Sequence, residues 1–114
     1  MDDARLPAHI EALGLIRQAQ AAGGFGTVIQ KGERDAGTII VVLTENGTNT
    51  KVYERLPSVD GSRNWSLSRI QDNEKPREID EYLTRRAQQD RDSWIIELDI
   101  AQGERFIGLT PPPA

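Results

Sequence analysis

The chain holds one histidine and no cysteine, which excludes thiol chemistry, disulfides and thiolate metal sites and leaves too few ligands for an ordinary structural zinc site. That histidine, His9, falls in the first turn of a predicted helix. Its imidazole titrates near neutrality and so makes it a candidate general base or ligand; the competing reading is a surface residue at a helix start. No G-x-S-x-G elbow occurs, and Ser62, between Gly61 and Arg63, reads as loop rather than strand-to-helix turn. Gly23-Gly24-Phe25-Gly26 has the composition of a phosphate cradle but leads out of a helix into a strand. That reverses the order that aims helix N–H groups at a phosphate, so the segment reads as a helix stop.

Carboxylates need the same scrutiny, because paired acids can hold a metal or perform acid–base work. Asp72, Glu74, Glu78, Asp80 and Glu81 crowd the start of a second predicted helix. Complementation of the helix dipole accounts for them at about 0.3–1 kcal/mol per charge. Glu97 and Asp99 are two apart on a predicted strand, hence on one face and about 7 Å apart. The expectation is that this face meets solvent; the alternative is a small enzyme or metabolite-binding protein using His9 or Glu97 and Asp99.

The most distinctive surface candidate runs from Tyr53 to Arg69. Tyr53 and Arg55 share a face of one predicted strand, Trp65, Leu67 and Arg69 share a face of the next, and Arg63 lies just before it. If the two faces coincide across the pair, they form an aromatic and basic patch able to grip an acidic partner or contact phosphate. Trp65 reads equally well as core, with the arginines as a rim whose stems lie along it.

The elements that must position these residues follow from period and punctuation. Pro7 opens a helix whose apolar stripe is Ala12, Leu13, Leu15, Ile16 and Ala19, with Ile10 at its margin, and Gly23-Gly24 closes it. Four strands follow, at about 25–30, 38–44, 50–56 and 65–70. The polar loop 31–37 reads as a solvated hairpin connection, Asn46-Gly47 as a tight hairpin turn, and Pro57 with Asp60-Gly61 as a longer loop. Ile39-Ile40-Val41-Val42-Leu43 is apolar on both faces, as a central covered strand is, whereas the alternation from Val52 to Leu56 suits an outer strand. A second helix is expected from a cap at Asp72 or Asn73 to about Gln89, burying Ile79, Tyr82, Leu83 and Ala87. Trp94 to Ile100 alternates as a fifth strand, and a turn through Gly103 brings Phe106 and Ile107 down.

At 114 residues, with 37% hydrophobic and 28% charged residues, the chain has room for one domain, expected over 1–109 with a proline-rich tail at 110–114. The longest aliphatic run falls far short of the roughly 20 residues that cross a bilayer. Asp2 and Asp3 stand where a secretion signal is basic, so the expected location is cytoplasmic. The net charge of -4 argues against nucleic acid as partner.

The strings Ala4-Arg5-Leu6-Pro7, Gly23-Gly24-Phe25, 31–37, Tyr53-Glu54-Arg55, Asp60-Gly61-Ser62-Arg63-Asn64-Trp65 and Trp94-Ile95-Ile96-Glu97-Leu98-Asp99 together resemble a small bacterial family catalogued as domain of unknown function 1491. The resemblance spans residues 4 to about 107. It implies a single-domain bacterial protein and brings no activity, cofactor or catalytic residue.

The expected architecture is therefore α+β in the order α-β-β-β-β-α-β, with a mostly antiparallel sheet of about five strands covered on one face by both helices. The second face would then need cover from the C-terminal segment or from a second copy, which makes a homodimer an expectation. The expected function is a small non-enzymatic binding or regulatory module without cofactor or metal. It would act on an unidentified protein partner through Tyr53, Arg55, Arg63, Trp65 and Arg69.

Overall fold

The computed structural model of the chain describes residues 6–57 and 63–109, with the backbone alone at 56, 57 and 63. The Asp60-Gly61 loop and the proline tail lie outside the described residues. Elements follow in the order α1 (Ala8–Ala21), β1 (Phe25–Gln30), β2 (Ile39–Glu45), β3 (Thr48–Pro57), β4 (Arg63–Ile70), α2 (Glu78–Gln89), β5 (Trp94–Asp99) and a 3-10 turn, η1 (Gly103–Ile107). The fold is α+β, with one five-stranded sheet in the order β1-β5-β2-β3-β4. Its β1–β5, β2–β3 and β3–β4 pairs are antiparallel and its β2–β5 pair is parallel.

β5 enters between β1 and β2, so 31–37 is a crossover past the end of β5 and not the hairpin connection expected. Its backbone is tied down accordingly. Glu33 N donates to Asp92 O at 2.8 Å and Ala8 N and His9 N donate to Asp35 O and Arg34 O at 2.9 Å each, while Trp94 Nε1 donates to Glu33 O at 2.8 Å. Two of the amides that open α1, which no helical carbonyl can satisfy, are thus paired by the loop. At its other end α1 stops where Gly23 adopts φ +96, a conformation costly to any side chain.

The two helices lie on opposite faces, which corrects the expectation that both cover one. Alternate residues of β2 and β5 separate into two clusters. Ile39, Val41, Leu43, Trp94, Ile96 and Leu98 pack with Ala12, Leu15, Ile16 and Ala19 of α1, and Ile40, Val42, Val52 and Ile95 pack with Ile79 and Leu83 of α2. The apolar run of β2 therefore reads correctly as covered on both sides. β3 is not an outer strand, because β4 pairs on its far side. α2 starts at Glu78 rather than at Asp72, whose carboxylate instead accepts Glu74 N in a turn. On α1, Leu13 and Ile10 are exposed and Ala8 is buried, so the buried stripe is rotated from the expected one. α1 sits close over β1: a Cβ at Gly26 would lie 2.6 Å from Ile16 Cγ2.

β3 carries a buried carboxylate system on each side. On the α2 face Glu54 accepts Tyr82 Oη and two bonds from Arg86, at 3.2 and 3.0 Å. On the α1 face Glu104 of η1, 1% exposed, accepts Tyr53 Oη at 3.0 Å and is ion-paired with Lys51. A buried charge is tolerable only when paired and hydrogen-bonded, and both are. Burial pushes the Glu54 and Glu104 carboxyls up, but the bonds from Tyr82, Arg86 and Ser68 to the first, and from Lys51, the backbone and Tyr53 to the second, outweigh it and hold both below the ordinary value of 4.5. Burial, then the Glu104 carboxylate, raises the Tyr53 phenol.

Carboxyls with depressed folded pKa values stabilise the fold above their unfolded value and lose that contribution as pH falls through the folded one. Urea stability is therefore expected to fall as pH drops below the ordinary 4.5, with a shallower fall in Glu104→Gln. Lys51→Met strands the Glu104 charge and is expected to cost about 3 kcal/mol in the same urea measurement.

Candidate functional site

The aromatic and basic residues do not form one surface. Tyr53 is buried under η1. Arg55, beside it on the same face, is forked onto Glu11 of α1, with Nη2 to Oε1 at 2.7 Å, and lies 5.0 Å from the centre of the Trp65 ring. Trp65 is half-buried against the α1 cluster, partway between the core and surface readings. Arg69 is on the opposite face. The β3–β4 register shifts between Val52 and Tyr53, so that Val52 pairs with Arg69 while Tyr53 pairs with Leu67. This bulge turns Arg69 to the α2 side, where its guanidinium lies 4.2 Å from the centre of the Tyr82 ring. The Arg63 side chain lies outside the described residues.

His9 sits at the start of α1, its Nδ1 2.9 Å from Arg34 O, across the sheet from the face that Glu97 and Asp99 share. The three do not converge. Among the described residues no group of three His, Cys, Asp or Glu side chains is placed to hold a metal ion.

The α2 face does contain a concavity. α2 rests on Ile40, Val42, Val52 and Ile95 through Ile79 and Leu83 and leaves the sheet beyond them open, where a cleft of about 720 Å³ lies between helix and strands. Val42, Thr44, Thr50, Ile95 and Glu97 form its floor, Ile79, Asp80, Leu83 and Thr84 of α2 one wall, and Gln71, Asp72 and Lys75 the rim. Most of its polar groups are already engaged. Thr44 and Thr50 share a hydroxyl–hydroxyl bond of 3.0 Å, and Gln71 Oε1 accepts Thr50 N at 2.9 Å. Asp99, one pleat beyond Glu97, accepts Asn46 N at 2.7 Å.

Glu97 differs from these. It is half-buried between Thr27 of β1 and Val42 of β2, and it makes no hydrogen bond or ion pair among the described residues. Burial, then the charges of Asp99 and Asp80, raise its carboxyl above the ordinary 4.5. Three carboxylates, Asp72, Asp80 and Glu97, line the cleft against one cation, Lys75, so the space is electronegative and suits a cationic group. Two features of the sequence point to it: Thr44 follows the apolar run of β2 with a hydroxyl, and Glu97 interrupts another apolar strand with a charge. Asp80, in the first turn of α2 where it complements the helix dipole, also lines the cleft.

Fold and cleft together define a small α+β protein with a mixed sheet held between two helices and a polar recess on one side. The family model described as protein of unknown function (DUF1491) matches residues 6–108, and the chain belongs to that family. A crystal structure of a DUF1491 family protein from Caulobacter crescentus is 30% identical, with a TM-score of 0.76 over 95% of this chain and 98% of that one. An NMR structure of a DUF1491 family protein from the same organism is 28% identical, with a TM-score of 0.77 over 96% and 97%. A solution structure of a protein from A. tumefaciens is 27% identical, with a TM-score of 0.74 over 96% and 99%. No curated protein matches the chain.

An acid whose folded pKa is raised favours the fold in its protonated form, so its effect is most favourable below the unfolded value and is lost as pH rises through the folded one. Glu97→Gln removes the repulsion from Asp99 and Asp80. Thermal melts are expected to show the variant above wild type at neutral pH, with the gain vanishing below pH 4.5.

Proposed function

We propose that this protein is a non-enzymatic binding module whose receiving feature is the cleft between α2 and the sheet, and that the group it receives is cationic, an amine or guanidinium. One observation carries the reading: Glu97 is a half-buried carboxylate with no bonded partner among the described residues, on the floor of a 720 Å³ recess. A charge in that position is costly unless compensated, and an incoming cation supplies the compensation and a directed hydrogen bond together. The separation of His9 from Glu97 across the sheet supports binding over acid–base catalysis.

This reading keeps the module expected from sequence and moves its surface. Arg55 is already engaged by Glu11 and Arg69 by the Tyr82 ring, so the pair offers no shared grip to an acidic partner. The bacterial sources of the related structures support a bacterial protein, and a cytoplasmic location belongs to the same proposal.

The test is a heteronuclear NMR titration with n-butylammonium and, separately, butyrate. The cation is expected to shift the Thr44, Asp80 and Glu97 resonances saturably and butyrate to leave them unmoved, with the cation response lost in Glu97→Gln. Equal responses to the two probes, or none to the cation at millimolar concentration, would contradict the reading.

A further inference from the structure

We infer that the cation received at Glu97 carries a single charge and an unbranched apolar tail, which lies along the cleft toward Ile29 and Ala87. That tail presupposes the cleft as a cation site, proposed above, and names the class of molecule that brings the charge.

The two ends of the cleft differ in chemistry, and register identifies them. The floor runs along β5 from Ile95, opposite Gln30 of β1, to Glu97, opposite Thr27. α2 crosses this floor in the other direction. Gln71, just before α2, accepts Thr50 N, and the Thr50 hydroxyl meets that of Thr44, whose strand partner is Asp99. The start of α2 therefore lies at the Glu97 end. Beyond the other end of α2, Asp90 O and Ser93 O accept Gln30 Nε2 at 3.3 and 2.8 Å, which sets Ala87 and Gln88 at the Ile95 end.

Every charged residue that lines the cleft is at the first end: Asp72, Lys75 and Asp80 at or before the start of α2, and Glu97 on the floor below. The second end is lined by Ile29, Gln30, Ala87 and Gln88, without charge of either sign. β1 bulges between Val28 and Gln30, which frees Ile29 from the regular alternation. Its side chain lines this end at 46% exposure, and Ala87 packs half-buried on the α2 cluster beside it.

This asymmetry selects among cations. An ammonium at Glu97 meets its counter-charge, and the methylenes behind it leave water for Ile29 and Ala87, which is favourable. A second ammonium at the far end of the tail would lose water with no acid to meet it, and a carboxylate there would find no cation; either charge is costly. Diamines and ω-amino acids are therefore disfavoured and a monoamine fits. Asp80 and Ala87 are seven residues apart on α2, about 10 Å along its axis, the reach of an ammonium with a tail of about six carbons. The volume of about 720 Å³ is that of a small-ligand pocket. Gln30, held by Asp90 and Ser93, closes the far end, so the tail stops there, as in a free small molecule and not a side chain of a polypeptide.

Heteronuclear NMR titrations of the full chain with n-alkylammonium ions from methyl to hexyl test the inference. Affinity read at Glu97 and Thr44 is expected to rise about two- to fourfold with each carbon added, with the longer ions shifting Ile29 and Ala87 as well, and hexanoate is expected to leave the cleft unmoved. Hexamethylenediammonium is expected to bind at least about tenfold more weakly than hexylammonium. Nα-acetyl-lysine methylamide, whose peptide groups would meet the closed end, is expected to bind more weakly than butylammonium. Gln88→Glu places an acid at the far end, at an exposed position of α2, and is expected to narrow or reverse the deficit of the diammonium, with circular dichroism showing the variant folded. Binding of equal strength from methyl- to hexylammonium would leave the cation site in place and overturn the tail. A diammonium or capped lysine bound as tightly as its reference, or an unchanged deficit in Gln88→Glu, would overturn it as well. No response to any of the ammonium ions would remove the tail together with the cation site.

Discussion

The placement of β5 between β1 and β2 is the constraint from which the rest of the structure follows. β5, inserted between β1 and β2, parallel to one and antiparallel to the other, is buried on both faces over Trp94, Ile95 and Ile96, and the elements around it must close over that stretch. β2 meets this with five consecutive aliphatic residues. α1 covers one face and α2 the other, and the 31–37 crossover caps the end where β5 enters, through bonds from Glu33 and Trp94. Neither helix alone could cover both sides, which is why the chain places one before the strands and one between β4 and β5.

That closure leaves little room for charge, and the molecule treats its interior charges in two ways. Glu54 and Glu104 are sealed in and fully engaged, one by Tyr82 and Arg86 and the other by Tyr53 and Lys51, so that β3 is anchored to α2 on one side and to η1 on the other. Glu97 is the exception. It lies on the inserted strand β5, where α2 no longer covers the sheet, with Asp99 and Asp80 near enough to oppose its ionisation and no group bonded to it among the described residues. Two carboxylates held by phenol and cation serve the fold, whereas the third imposes on it a repulsion that a cationic ligand would relieve.

Much of the fold was legible from local pattern. The element order, the doubly apolar β2, the Asn46-Gly47 turn and the Gly23 stop are all decided by residues within a few positions of one another. The features that escaped depend on contacts distant in sequence. Nothing in the residues of β5 states which strands it joins, so 31–37 passed for a hairpin connection and both helices for cover of one face. The bulge that sends Arg69 to the opposite side from Trp65 adds one residue to a strand whose alternation looks unbroken, and so dissolved the expected Arg55–Trp65–Arg69 patch. Glu97 and Asp99 were correctly placed on one face, but the partial cover that makes a recess of it comes from where α2 settles.

Glu97 is thus a charge without a bonded partner among the described residues, in an electronegative recess. A carbon-detected NMR titration of the Glu97 carboxyl in the free protein tests this most directly. The Glu97 midpoint is expected above the ordinary 4.5, in contrast to Glu54 and Glu104 in the same spectra, whose midpoints are expected below it. A Glu97 midpoint at or below 4.5 would mean that the carboxylate is already solvated or paired, and that the recess holds no unmet charge for a cation to relieve.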